Sequence, residues 1–397
     1  MFGKLTGNTG YKTLNEGIIN LNSVTKNVGI YGEVATGATG LLTLENDKEI
    51  NINSGSTSSV GIIAKNNSGN SANLLVNNTA NGVITGNEVS SIGILAEESK
   101  VTNAGKILMN KDSSVGIYGE NKSKVENSNL IEISGDKSAG IFLKDSDASN
   151  LTGGQIKVKG GVTTGNATSA GIYGTFTSGA HNIQNTGTIT VENIAGKSGS
   201  VGIYGDLTGG TLNITNDNVI NANMDKSVGI YAKNSHAGAT SNISHSGNID
   251  LSRAKKSTGI FMTKGILNSS GNISVNEGSV GVDATNSNIT INGGDYTVGK
   301  ESVGFKLTNV PTTKSFLGNS GNLSITDTGS VAYLISGSNF ESGVNFTDNL
   351  TLTSTDPYTY MNVENSTLKY ENTKTIANDD SIFINAAGSN VTLKSAN

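Results

Sequence analysis

Ser114-Val115-Gly116-Ile117-Tyr118-Gly119 decides the fold, because it is one copy of a motif that keeps returning. It appears as Asn27-Val28-Gly29-Ile30-Tyr31-Gly32, Ser59-Val60-Gly61-Ile62-Ile63-Ala64 and Ser91-Ile92-Gly93-Ile94-Leu95-Ala96, and again as Ser138-Ala139-Gly140-Ile141-Phe142-Leu143. Further copies centre on Gly171, Gly202, Gly229, Gly259, Gly281 and Gly304, with a degenerate one at Ala332 and two more expected near Tyr360 and Phe383. Successive centres lie 22 to 32 residues apart, which reads as a fixed unit with loop insertions. Upstream of most copies runs an alternating segment such as Thr188-Ile189-Thr190-Val191 or Asn272-Ile273-Ser274-Val275, the period-2 signature of a half-buried strand. A third strand follows the glycine motif, as at Leu212-Asn213-Ile214 and Ser241-Asn242-Ile243. Three short strands cannot bury an apolar face alone, but stacked on their neighbours they share one core. The expectation is an all-β, single-stranded parallel β-helix, the right-handed form favoured, of about 14 coils. It is one solenoid over 1–397, with clear repeats over 27–335, degenerate coils over 336–397 and no separate domain boundary. At the strand spacing of ~4.8 Å such a stack is roughly 65 Å long.

Strand alternation divides the motif into faces. With each glycine as position zero, the residues at −1 and +1 are expected to share the core: Val28 with Ile30, Val115 with Ile117, Val201 with Ile203. Position +3 joins them and is small, as at Gly32, Ala64, Ala96, Gly119, Gly174 and Gly205. Position +2 then faces out, and in nine successive copies it is Tyr31, Ile63, Leu95, Tyr118, Phe142, Tyr173, Tyr204, Tyr231 and Phe261, before turning polar at Asp283 and Lys306. An outward stripe of large apolar groups marks an interaction surface. The same stripe also reads as a stacking ladder whose rings cover the bare glycine backbone of the next coil. Longer insertions after Gly32, Gly174 and Gly205 are expected to project from one side of the solenoid, either as binding loops or as tolerated length drift.

Composition agrees with strands and turns. The 397 residues include 52 Gly, 2 Pro, no Cys, no Trp and only 15% charged side chains. That leaves little helix-forming material, while 34% apolar residues and a net charge of −5 fit disorder poorly. Zero Cys removes disulfides and thiolate zinc sites. No apolar run approaches the ~18–20 residues of a membrane helix. The chain's start, Met1-Phe2-Gly3-Lys4-Leu5, has no apolar signal region. Arg253 is the one arginine among 27 basic residues, so no nucleic-acid partner is expected.

Polysaccharide cleavage on a β-helix would need clustered carboxylates. The closest pairs, Asp145 with Asp147 and Asp379 with Asp380, sit in polar turns and read as solvated. His181, His236 and His245 lie in Ser/Asn/Gly-rich segments and read as surface residues. No Gly-x-Ser-x-Gly elbow occurs. No catalytic, cofactor-binding or metal site is expected, and the chain reads as a non-enzyme.

The recurring Ser-Val-Gly-Ile-Tyr-Gly with Asn-Ser-Gly-Asn-Ile strands between, spread from Val28 to Leu334, resembles the passenger domains of large fusobacterial-type autotransporter adhesins. The resemblance implies a right-handed β-helix displayed at a bacterial cell surface. It would attach to host cells or other bacteria through a surface protein or glycan, with self-association of the rods as a further expectation. Autotransporters end in a membrane barrel, whereas this chain ends in Leu393-Lys394-Ser395-Ala396-Asn397. The expectation is therefore a passenger segment tethered by a barrel outside it. Two alternatives stand beside the adhesin: a structural spacer presenting a distal tip, and a carbohydrate-active lyase or depolymerase.

Overall fold

The computed structural model describes residues 1–22, 26–53, 58–161, 168–341, 345–372, 374 and 380–393. The fold is a parallel β-solenoid of about 13 turns. Apart from a single 3-10 turn at Ser71–Asn73, no helix occurs among the described residues. None is long and apolar enough to cross a membrane. The chain divides into two compact units, Met1–Gly205 and Asp206–Asn397.

In the first unit each turn contributes three strands. One turn comprises Val115–Glu120, Lys124–Asn127 and Leu130–Ile133; the next comprises Ala139–Lys144, Asp147–Asn150 and Gln155–Val158. Each strand pairs in parallel with its counterpart, Ile117 opposite Ile141, Val125 opposite Ala148 and Ile131 opposite Ile156. Identical residue types thus stack through the core, where Ile30, Ile62, Ile94, Ile117, Ile141, Ile172 and Ile203 are wholly buried. At ~25 cal/mol per Å² of apolar surface removed from water, these aliphatic columns are the main source of stability.

The glycine strand does not alternate as expected. Its buried positions are zero, +1 and +3, while position −1 varies: Val28 is 38% exposed and Ile92 and Val115 are half-buried, whereas Val60, Ala139, Ala170 and Val201 are buried. The cause is the glycine, which takes an inward position itself. A Cβ on Gly116 would stand 2.4 Å from the carbonyl oxygen of Gly140, and one on Gly93 2.5 Å from that of Gly116. Two consecutive inward residues break the alternation, so position −1 is left at the margin of the core, open in some turns and covered in others.

Polar ladders close two corners of this unit. Asn15, Asn46, Asn78, Asn103, Asn127, Asn150 and Asn185 are buried at the ends of the second strands, and each Nδ2 donates to the Oδ1 of the next at 2.8 Å. The serine before each glycine motif is also buried, and its Oγ accepts the backbone N–H of the serine one turn earlier, as in Ser114 to Ser138 at 3.1 Å. Buried polar groups are tolerated because each finds its partner.

The second unit builds its turns the same way, with Ile230 opposite Ile260 and Ile249 opposite Ile273. Its serines repeat the corner, Ser257 N–H to Ser279 Oγ and Ser279 N–H to Ser302 Oγ, both at 3.0 Å. Toward its C-terminal turns the aliphatic core gives way to rings. The +1 column becomes Phe305 and Tyr333, packed against Phe316 and Phe346 at centroid distances of 5.1 to 5.5 Å. The two degenerate copies are present as Thr359–Glu364 and Ile382–Ala387, paired in parallel. There the glycine position is taken by Tyr360, whose hydroxyl bonds Asp348, and by Phe383, stacked on Tyr360 at 5.3 Å.

Candidate functional site

All nine residues expected at +2 lie on the outer face of the glycine strands and are half-buried: Tyr31, Ile63, Leu95, Tyr118, Phe142, Tyr173 and Tyr204 in the first unit, Tyr231 and Phe261 in the second. Parallel in-register pairing sets Tyr31 opposite Ile63, Ile63 opposite Leu95 and Leu95 opposite Tyr118. From Tyr118 onward the rings lie face to face. Centroid separations are 4.9 Å for Tyr118–Phe142, 5.1 Å for Phe142–Tyr173 and 4.4 Å for Tyr173–Tyr204, with interplanar angles of 6 to 13°. Tyr231 and Phe261 repeat the arrangement at 4.5 Å. The strand spacing dictates these distances, and the stacking explains why groups that face outward are half covered.

In three turns of the first unit the −1 residue, Val28, Ile92 or Val115, is also uncovered beside Tyr31, Leu95 or Tyr118 and widens the outward apolar band there. On the other side runs a charged column at +4, including Glu33, Lys65, Glu97, Glu120 and Lys144. Burial, then the charge of Glu120, pushes the Tyr118 hydroxyl above its usual pKa; burial and Asp206 do the same at Tyr231. These phenols stay protonated and act as donors at the rim of an apolar surface, as Tyr31 does toward Glu33 at 3.3 Å. Where the column turns polar, Lys306 Nζ meets Asp283 Oδ2 at 2.9 Å.

Two of the three histidines are not the surface residues the sequence suggested. His181 is buried and stacked on Phe176 at 5.2 Å, with Nδ1 3.5 Å from Asp147 and Nε2 3.7 Å from Asp145 and 2.8 Å from the Ser178 carbonyl. The aspartate pair is likewise engaged rather than simply solvated. Asp145 accepts from Thr177 N and Oγ1, both at 2.7 Å, and Asp147 accepts from Asn182 N at 3.0 Å. Burial opposes the imidazolium, but the hydrogen bond to Asp147, the Ser178 carbonyl and both carboxylate charges raise the His181 pKa. Burial likewise opposes both carboxylates, and their hydrogen bonds outweigh it and hold them low.

His245 occupies an asparagine-ladder position in the second unit. Asn216 Nδ2 donates to its Nδ1 at 3.2 Å, which places the proton on Nε2, facing the Asn272 carbonyl at 3.2 Å. Burial pushes its pKa down and keeps it neutral. His236 is exposed as expected. Asp380 is exposed in a turn, and Asp379 lies outside the described residues.

The insertions do not simply project. After Gly32, Gly174 and Gly205 the glycine strand runs on and drops one extra apolar side chain, Val34, Phe176 or Leu207, fully into the core. The small residue at +3 makes room for this: a Cβ on Gly174 would stand 2.4 Å from the Phe176 ring. Only the tips, such as Thr177 to Ala180, stay exposed. Among the described residues no three His, Asp or Glu side chains converge in a way that could hold a metal ion. Comparison with protein-family models gives no match, and comparison with curated proteins gives none either.

Proposed function

We propose that the chain is a non-catalytic adhesive segment of a bacterial surface protein, displayed outside the cell. It would attach to a protein or glycan of a host cell or another bacterium through the outer face of its glycine strands. The observation that carries this reading is the column of face-to-face stacked rings from Tyr118 to Tyr204, half-exposed on the outer face. A contiguous outward apolar band rimmed by phenolic donors suits partner contact better than bulk solvent. Rings already fixed by their neighbours also lose little rotamer freedom on binding.

The spacer reading is favoured by one specific feature, the stacking itself, since face-to-face rings stiffen consecutive turns whether or not a partner binds. Polysaccharide cleavage has less behind it. An acid and a base must be free to reach substrate, whereas Asp145 and Asp147 are committed to Thr177, His181 and Asn182.

Binding of the purified protein to cultured host cells and to partner bacteria separates the first two readings. The comparison is with a variant carrying Tyr118→Ser, Tyr173→Ser, Tyr204→Ser and Tyr231→Ser, after circular dichroism shows that both are β-structured. Loss of binding with fold retained supports the adhesive face. A wild-type protein that binds neither surface makes the segment a spacer.

A further inference from the structure

On the second unit, two concavities of about 400 and 390 Å³ share Lys264 and Asn286 as a common wall, forming one cleft. Each lies within the roughly 300–1,000 Å³ of small-ligand clefts. Tyr231 and Phe261 border it on one side and Lys314 on the other. We propose that this cleft binds an acidic oligosaccharide, one whose sugar rings carry carboxylates. The inference deepens the adhesive reading above and rests on it for its biological setting.

Three features select that class of ligand. The first is charge. The protein's net charge is −5, yet Lys264 and Lys314 make no ion pair among the described residues. Two carboxylates of this unit are already matched by other lysines, Asp283 by Lys306 at 2.9 Å and Asp206 by Lys233, itself on the cleft wall, at 4.0 Å. Two uncompensated ammonium groups at one cleft call for an anion.

The second feature is the ring. Phe261 stacks on Tyr231 on one side, but its register partner in the following turn is Asp283, so the ring stack ends beside the cleft. The half-exposed parts of Tyr231 and Phe261 line the cleft and offer apolar surface to the C–H groups of a pyranose.

The third is a row of presented side chains. Lys264, Asn286 and Asn309 occupy successive turns, each in the left-handed region at φ 51, 48 and 50°. Their backbone N–H groups donate to the carbonyls of Thr285, Thr308 and Ser336 at 2.9 to 3.0 Å. The backbone is therefore pinned, and the side chains stand at the cleft wall. Asn amides, which donate and accept at once, match sugar hydroxyls.

The test is isothermal titration calorimetry on the 397-residue protein with three probes. They are a tetrasaccharide alternating glucuronate with N-acetylglucosamine, the neutral tetramer of N-acetylglucosamine, and hexaglutamate. The uronate sugar should bind, the other two at least about tenfold more weakly, and the Lys264→Gln/Lys314→Gln variant should lose about tenfold on the uronate sugar. Equal binding of the neutral sugar, equal binding of hexaglutamate, no binding of the uronate sugar, or an unaffected variant would each overturn the proposal. Both lysines are at the surface, and unchanged thermal unfolding of the variant secures the comparison. The same variant in the cell-binding assay separates the two readings. Attachment retained while sugar binding is lost leaves the adhesive face standing without the cleft as its receptor site. Sugar binding without any cell attachment leaves the cleft and removes the adhesive function.

Discussion

Asn103 shows what a single buried residue contributes here. Its Oδ1 accepts from Asn78 and its Nδ2 donates to Asn127, both at 2.8 Å, in a corner with no access to water. Replacing Asn103 by Ala orphans a donor on one neighbour and an acceptor on the other, and should destabilise the first unit by about 2–4 kcal/mol in guanidinium unfolding. A loss under 0.5 kcal/mol would mean that water enters the corner and replaces the amide. The ladder was not legible in the sequence although its signal is there: Val76-Asn77-Asn78, Val101-Thr102-Asn103 and Val125-Glu126-Asn127 each place an Asn two residues after a core aliphatic. Asn is so abundant in this chain that those positions read as ordinary turn formers. The outward tilt of Val28 and Val115 was hidden for a different reason. Strict alternation runs straight through a glycine, whereas the close approach of Gly116 to the Gly140 carbonyl belongs to neighbouring turns rather than to the local sequence.

At the scale of the element, the turn that joins Ser169–Phe176 to Ala180–Asn185 is held by titrating groups, so its stability must depend on pH. The folded pKa of His181 stands above its ordinary 6.5, so its contribution is full below that value and is lost as pH rises through the folded pKa. Asp145 and Asp147 stand below their ordinary 3.8; their contribution is present above that value and is lost as pH falls through the folded pKa. The turn is therefore tightest between the two. Hydrogen-exchange protection of the Thr177 and Asn182 amides, both bonded to these carboxylates, should be severalfold higher at about pH 5.5 than at about pH 8 after correction for intrinsic exchange. His181→Gln should abolish the difference, and equal protection at the two pH values in the wild type would show that the clamp carries no charge dependence. The glycine strands themselves were readable because Gly-Ile recurs at fixed offsets. Which aspartate meets which histidine was not, because insertions of irregular length between Asp147 and His181 conceal the register that brings them together.

At the scale of the whole molecule, the solenoid class follows from a repeat that no other all-β arrangement explains. The stack of parallel turns then leaves outer turns whose strands have one unpaired edge. In the first turn, Phe2–Leu5, Tyr11–Asn15 and Ile18–Leu21 pair on one side only, with Val28–Val34, Leu42–Asn46 and Glu49–Ile52. Phe2 and Ile18 are 67% and 62% exposed, and one face of the Phe2 ring is already stacked on Tyr31 at 5.5 Å. Lys4 and Lys12, the charges that could keep another chain away from such an edge, are drawn back to Glu33 and Glu45 of the next turn. The asparagine column also stops here with Asn15, its Nδ2 bonded to Asn46 and its Oδ1 accepting only the nearby Gly17 N–H, an acceptor that another buried amide would fit. An edge with free N–H and C=O groups, open apolar side chains and an incomplete ladder is a template for a further parallel turn. For the 397-residue polypeptide produced on its own, a strand of a second copy can supply one. A head-to-tail contact of this kind does not close on itself, so it should produce open-ended association that grows with concentration. Sedimentation velocity over about a hundredfold concentration range should show species larger than the monomer, and Phe2→Lys with Ile18→Lys should return the protein to one slow boundary, since two buried charges would each cost several kcal/mol at such a contact. A single monomeric boundary for the wild type at the highest concentration would mean that this edge is guarded in solution, and that Lys4 and Lys12 repel other chains despite their partners.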